Sequence, residues 1–124
     1  MTGIAPWITV ADAAQAVAFY RAAFGATELE RTEDGGGGGG TVIVAHLAID
    51  GADFWVQHEP GLDVGQGGGE PIRMILSVDD PDAVYKRALE AGATPITPVY
   101  EGHGWRIGRI ADPSGHHWEI GRPL

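Results

Sequence analysis

The sequence predicts an α+β fold that contains two tandem βαβββ modules. The chain has 124 residues, about the length of one domain, and one residue pattern occurs twice in it at an offset of about 68. Each copy combines a strand end, an Ala-Val pair and a Gly-Ala-Thr segment: Thr9–Asp12, Ala16–Val17 and Gly25–Thr27, then Ser77–Asp80, Ala83–Val84 and Gly92–Thr94. A unit that occurs only twice indicates two fused copies, because a solenoid needs three or more.

The first module begins with a strand at 7–10, where apolar and polar faces alternate. Asp12 suits the N-cap of a helix over Ala13–Phe24, and Gly25 suits the position after its end. Three strands are expected next, roughly at 27–31, 41–49 and 53–58. Asp50-Gly51 is typical of the hairpin turn between the last two strands.

The second module repeats this order. A strand at 73–78 leads to Asp79 and Asp80 as helix caps, with Pro81 in the first turn. The helix is expected to run through Leu89 and to end at Gly92. Three strands follow, at 94–99, 105–111 and 117–120, with a turn at 112–115 before the last strand.

Glycine is unusually frequent, with 20 residues in the chain, and its excess is concentrated in two segments. One is Gly35–Gly40, which has no counterpart in the second module and is expected to form a mobile hairpin loop. The other includes Gly65 and Gly67–Gly69. We therefore expect a single domain over 1–124, with module 1 at about 1–62, a connector at about 63–70 and module 2 at about 71–124.

Charge and composition exclude several functions. The net charge of −9 repels phosphate backbones and anionic lipids, so neither nucleic acid nor a membrane is an expected partner. The chain has no cysteine, which excludes disulfides, thiolate metal sites and cysteine nucleophiles. It also has no long apolar run and no basic leader segment, so we expect a cytoplasmic protein.

Three segments resemble the vicinal oxygen chelate superfamily, which includes glyoxalase I, bleomycin-resistance proteins and extradiol dioxygenases. They are Val10–Asp12 together with Ala16–Tyr20, then Ala23–Ala26, and the ending Asp112–Ile120. The resemblance implies that the modules form a curved mixed sheet around a cavity, with the helices on the outer face. It also implies a homodimer and a small-molecule ligand. Fold alone does not select among the chemistries of this superfamily.

Strand alternation predicts which side chains face the cavity, because residues two apart share a face. The candidate ligand-binding residues are Trp7, Trp55, Gln57, Arg73, Trp105, Arg109 and His117. His46 and Glu119 are candidate catalytic residues, since either could act as a general base beside an arginine. Trp118 alternates with these residues and is expected on the helix side.

The family-type metal site is predicted to be degenerate. Glu119 matches the ligand of the last strand, whereas Arg73 and Ala5 stand where the resemblance implies other ligands. A guanidinium cannot ligate a metal. No cofactor is therefore expected; the alternative is a divalent metal (Zn, Ni, Mn or Fe) held by Glu119, His46 and Gln57.

The sequence thus favours a small-molecule-binding protein of the glyoxalase or bleomycin-resistance kind, which sequesters a drug or metabolite. The alternative is a metal-dependent lyase, isomerase or dioxygenase that uses Glu119 with displaced ligands. A metal-free enzyme and a structural domain with an empty cavity remain lower-ranked hypotheses.

Overall fold

The computed structural model of the chain describes residues 3–33, 41–62 and 72–124. These residues form the two predicted βαβββ modules in the predicted order. The elements are β1 (Trp7–Val10), α1 (Ala13–Phe24), β2 (Thr27–Glu33), β3 (Val42–Ile49), β4 (Ala52–His58), β5 (Met74–Ser77), α2 (Pro81–Glu90), β6 (Thr94–Gly102), β7 (Trp105–Ala111) and β8 (His117–Pro123). The predicted loop at Gly35–Gly40 and the glycines at 65–69 lie outside the described residues.

Each module contributes its own mixed sheet. The first sheet has the strand order β1-β4-β3-β2, and the second has the matching order β5-β8-β7-β6. In each, the first strand pairs parallel with the last, and the other pairs are antiparallel. Among the described residues, β1 and β5 are edge strands with one side unpaired, so the expected curved sheet is present as two separate halves. No helix in these residues is long and apolar enough to cross a membrane.

Local capping sets the ends of α1. The Asp12 carboxylate accepts from the Gln15 backbone N–H at 3.0 Å, and Gly25 takes the left-handed conformation, with φ of 70°, that ends the helix. His58 Nδ1 accepts from the Ala13 N–H at 3.0 Å. His58 therefore satisfies one of the free N–H groups of the first turn and holds the end of β4 against the helix.

The second helix begins as predicted, because Asp80 accepts from the Ala83 N–H and Pro81 occupies the first turn. It ends at Glu90, one residue beyond the prediction, with Ala91 as its C-cap. Gly92 follows with φ of 115°, a backbone conformation that glycine adopts without strain.

Three strands extend beyond their predicted ends, which were Arg31 for β2, Val99 for β6 and Ile120 for β8. The structure places these ends at Glu33, Gly102 and Pro123. In the second sheet, the extra residues of β6 pair with β7 up to a two-residue turn at His103-Gly104, whose φ values are 55° and 82°. Such a turn continues the strand twist and keeps the hairpin paired to its tip.

Aromatic side chains pack the two modules together on the helix side of the sheets. Tyr20 and Phe24 of α1 contact Trp118 of β8, with ring centroids 5.4 and 5.0 Å apart. Phe54 of the first sheet contacts the same indole at 5.5 Å. Trp118 is 3% exposed, which confirms that it faces the helices. One helix therefore contributes to the core of both modules.

A buried carboxylate links these parts. Asp112 Oδ1 accepts from the backbone N–H groups of Ser114 and His116 at 2.9 and 3.0 Å, which closes the turn before β8. Its Oδ2 accepts from the Trp118 indole at 2.9 Å and from the Tyr20 hydroxyl. Because Tyr20 belongs to the first module and Asp112 to the second, this oxygen joins the modules through a buried hydrogen bond.

This interaction predicts a loss of stability in base. Burial, and next the charge of Asp112, raises the pKa of Tyr20 well above its ordinary value of 10.0. The folded state therefore holds the phenolic proton more tightly than the unfolded state, and the free energy of unfolding should fall as the pH rises above about 10.

Denaturant unfolding of the wild type and Tyr20→Phe between pH 7 and 11 measures this effect. At pH 7, Tyr20→Phe should cost about 1–3 kcal/mol, because Asp112 loses a buried donor. Above pH 10, the further fall in the free energy of unfolding should be smaller for Tyr20→Phe than for the wild type. Some loss should remain because burial also raises the pKa of Tyr85. Parallel pH profiles for the two proteins would contradict the role of Tyr20.

Candidate functional site

Most of the predicted site residues lie on or beside the sheet faces opposite the helices, and strand register forms two rows of side chains across these faces. In the first sheet, strand register aligns Trp7, Trp55, His46 and Glu30. We call this set the aromatic row. In the second sheet, it aligns Ile75, Glu119, Arg109 and Thr97. We call this set the arginine row.

Stacked rings form most of the aromatic row. The centroids of Trp55 and His46 lie 3.8 Å apart with ring planes at 4°, and those of Trp7 and Trp55 lie 5.8 Å apart at 21°. Trp55 thus has a ring on each side. Trp7 stands on the edge strand, stacks on one ring among the described residues and is 54% exposed. The outer face of its indole is therefore open to solvent.

Polar contacts hold the rings of this row in place. The Trp7 indole N–H donates to Gln57 Oε1 at 2.8 Å. His46 Nε2 lies 2.8 Å from Asp53 Oδ2, and its Nδ1 lies 4.0 Å from Glu30 Oε1. Both sides of the imidazole therefore face carboxylates, and the orientation of Trp7 depends on an amide.

The arginine row has a different chemistry. Glu119 Oε1 accepts from the Arg109 guanidinium at 3.2 Å, and Glu119 Oε2 lies 3.6 Å from Arg73 Nε. The Glu119 side chain is 18% exposed, whereas those of Arg109 and Arg73 are 26% and 43% exposed. One carboxylate is thus shared by two guanidinium groups, and the cluster carries a net positive charge.

A cavity of about 280 Å³ lies beside Glu119. It is lined by Ile75, Tyr100, Gly102, His103, Trp105, Ile107 and Glu119. Tyr100 lies over Gly102, where a Cβ would come within 2.9 Å of its ring, so a larger residue at 102 would displace this wall. Trp105, a predicted ligand-binding residue, belongs to this cavity and not to the aromatic row.

His117 differs from the other predicted ligand-binding residues. It begins β8 on the same strand face as Glu119 but is only 8% exposed. Its Nδ1 is buried and has no hydrogen-bond partner among the described residues. This imidazole is therefore packed in the interior rather than presented on the open face.

The structure divides the predicted residues into two groups. Trp7, Trp55, Gln57 and His46 meet on the first sheet. Arg73, Arg109, Glu119 and Trp105 lie on or beside the second sheet. Strand alternation relates side chains within one strand, such as Trp55 and Gln57, whereas the separation of the two sheets is a tertiary feature that alternation does not contain.

Several residues of these surfaces were not among the predicted site residues. Asp53 lies two residues before Trp55 on the same strand, so alternation alone could have included it. Glu30 was not predictable in this way, because a register irregularity between Glu28 and Glu30 shifts the pairing of β2. Tyr100 was missed because β6 was predicted to end at Val99.

The donor groups of the alternative metal site do not fit a shared metal. Glu119 is paired with two cations, Gln57 accepts from Trp7, and His46 lies on the other sheet from Glu119. Within 3–33, 41–62 and 72–124, no three His, Asp or Glu side chains form a group that could hold a metal ion.

Comparisons with known proteins agree with the fold. The profile of the Glyoxalase/Bleomycin resistance protein/Dioxygenase superfamily matches residues 4–120, so the chain belongs to this superfamily. An uncharacterized protein of Mycobacterium bovis is 40% identical over 132 aligned positions, covering 98% of this chain and 83% of the relative.

Solved structures show the same architecture. A glyoxalase/bleomycin resistance protein/dioxygenase family enzyme from Burkholderia phytofirmans PsJN is 23% identical, with a TM-score of 0.75 over 95% of each chain. The fosfomycin resistance protein FosX of Mesorhizobium loti is 16% identical, with a TM-score of 0.74 over 100% of this chain and 94% of that one. At these identities, the likeness concerns the fold.

The pairing of Glu119 with two arginines predicts weak or no affinity for divalent metals at this position, because cations beside a ligand repel a metal. Thermal unfolding with Mn²⁺, Ni²⁺, Zn²⁺ or Fe²⁺ should leave the midpoint of the wild type unchanged, and Glu119→Gln should respond identically. A metal-dependent rise in the wild type that is lost in Glu119→Gln would contradict this prediction.

Proposed function

We propose that this protein binds a flat aromatic small molecule without a metal, as a glyoxalase- or bleomycin-resistance-like protein that sequesters a drug or metabolite. One observation carries the proposal: the aromatic row ends in a half-exposed indole whose outer face has no ring against it among the described residues. A ligand ring placed there would continue the stack across the edge of the first sheet.

The geometry favours stacking over loose apolar contact. Trp55 is held between two rings, and it fixes the plane of Trp7 from the inner side. The hydrogen bond from Trp7 to Gln57 restricts rotation of the indole. A ligand therefore meets a ring that is already oriented, which reduces the entropy that binding must remove. Stacked aromatic pairs contribute about 0.5–1.5 kcal/mol beyond the burial of their surface.

The cavity on the second sheet contains some of the remaining residues that the sequence predicted for one common ligand cavity. Its wall combines Tyr100 and Trp105 with Glu119, and Arg73 and Arg109 lie beside that carboxylate. We place the aromatic ligand on the first sheet, because the rings there are aligned and stacked. The roles predicted for Arg73, Trp105, Arg109 and His117 stay predictions.

His46 and Glu119, the candidate bases, lie on separate sheets, and each carries a close charged partner. Glu119 also lies between two guanidinium groups, which suits an ion pair more than proton abstraction from a substrate. Their catalytic assignment stays a prediction, and so does the metal-dependent activity that would use Glu119 with displaced ligands.

Removal of the open indole should weaken binding. Acridine can be titrated into the protein at pH 8 and its binding measured by calorimetry. The dissociation constant should be about tenfold larger for Trp7→Ala than for the wild type. The reason is that the substitution removes stacking and apolar burial, which together contribute more than about 1.4 kcal/mol to the binding free energy. Trp105→Ala is the matched control on the second sheet and should bind as the wild type does. If Trp105→Ala loses binding and Trp7→Ala does not, the ligand binds in the cavity on the second sheet.

We further propose that the protein is a cytoplasmic homodimer. Within the described residues, β5 has a free edge along which the apolar side chain of Ile75 is exposed. Ile4 and Ile72 are 98% and 78% exposed, and they border a groove of about 450 Å³ between the modules. Exposed edges and apolar patches of this kind are typical of surfaces that a partner covers.

Introducing a charged side chain on the edge strand β5 should dissociate the proposed homodimer into monomers. Ile75 of β5 is 60% exposed, and Ile96 of β6, at the opposite edge of the sheet, is 44% exposed. Light scattering coupled to size exclusion should report twice the chain mass for the wild type and Ile96→Lys, and a single chain mass for Ile75→Lys. A monomeric wild type at all concentrations would refute the homodimer.

A further inference from the structure

The charges around the aromatic row differ in sign from those around the arginine row. Two carboxylates, Glu30 and Asp53, lie beside His46, and their side chains are 66% and 46% exposed. Both carboxylates are therefore in contact with solvent, where they can act on a ligand that approaches the face. The net charge of the whole chain, which includes these two carboxylates, is −9.

Among the described residues of the four strands of the first sheet, arginine occurs once and lysine does not occur. That arginine, Arg31, pairs across the strands with Ala45, which is fully buried on the helix side. Its guanidinium is held by Glu28 at 2.8 Å and Glu33 at 3.3 Å. No cation of these strands therefore offsets the carboxylates on the face of the aromatic row. From the second module, Arg73 borders the same groove as Asp53, and its guanidinium is paired with Glu119.

The open ring itself favours positive charge. Indole has the most electron-rich face of the aromatic side chains and is the strongest cation–π partner. The N–H of Trp7 donates to Gln57 Oε1 at 2.8 Å, which draws positive charge to the indole edge and leaves the face more negative. The ring and the nearby carboxylates thus attract charge of the same sign.

We infer that the aromatic ligand of this protein is a cation, such as a quaternised or protonated flat heteroaromatic ring, which stacks on Trp7 under the field of Asp53 and Glu30. This inference rests on the proposed function, because it names the ligand class of the same site. The second sheet would select the opposite sign, since two arginines there face one carboxylate.

Three probes of similar shape and different charge test this inference. At pH 8, acridine is neutral, 10-methylacridinium is a cation and acridine-9-carboxylate is an anion. Calorimetry on the wild type should show 10-methylacridinium binding about fivefold or more tightly than acridine, as expected for a cation over an indole face. Raising KCl from 50 to 500 mM should weaken binding of the cation and leave that of acridine unchanged.

Variants locate the source of the preference. Asp53→Asn and Glu30→Gln should each reduce the preference for the cation about twofold or more, with acridine affinity retained. Glu101→Gln removes one negative charge from the second module, at an exposed position paired with Arg106, and should leave the preference intact. An equal effect of all three substitutions would assign the preference to net charge and overturn the role of this face.

The outcomes separate the inference from the proposed function. If acridine and 10-methylacridinium bind equally, or the carboxylate binds most tightly, the inference is wrong although an aromatic site exists. If no probe binds, or if Trp7→Ala binds all three as the wild type does, the proposed function itself fails. A cation preference that disappears in Trp7→Ala supports both.

Discussion

The carboxylate of Asp112 is the interaction on which the packing of the two modules depends. It is 4% exposed and accepts four hydrogen bonds, two from its own turn and two from aromatic side chains. A buried carboxylate is tolerated only when its oxygens are satisfied. The turn before β8, the Trp118 indole and the Tyr20 hydroxyl are therefore held in one arrangement, and Tyr20 carries that arrangement into the first module.

This constraint also determines where the functional surfaces lie. Since Asp112, Tyr20 and Trp118 occupy the helix side of the sheets, the core common to both modules is on that side. The residues on the other strand faces remain available to solvent and ligands. One chain consequently presents two separate surfaces, an aromatic row beside carboxylates and an arginine row in which Arg109 and the neighbouring Arg73 share the carboxylate of Glu119. The duplicated modules have the same register but opposite local charge.

The fold was predictable where local signals were strong. Asp12 and Gly25 mark the ends of α1, and the structure has those ends. The end of β2 was not predictable, because its polar sequence has no apolar alternation and its pairing is irregular. At the site, alternation placed Trp7, Trp55 and Gln57 on one face. It could not show that Glu119 lies on another sheet, since the relation between sheets depends on the packing around Trp118.

The central claim is that the open face of Trp7 receives an aromatic ligand. The chain has four tryptophans, and each gives one indole N–H signal in a ¹⁵N–¹H correlation spectrum. Titration with 10-methylacridinium should shift the Trp7 signal most and leave that of buried Trp118 in place. If the signal of Trp105 shifts most while that of Trp7 stays unchanged, the ligand binds on the second sheet and the account is contradicted.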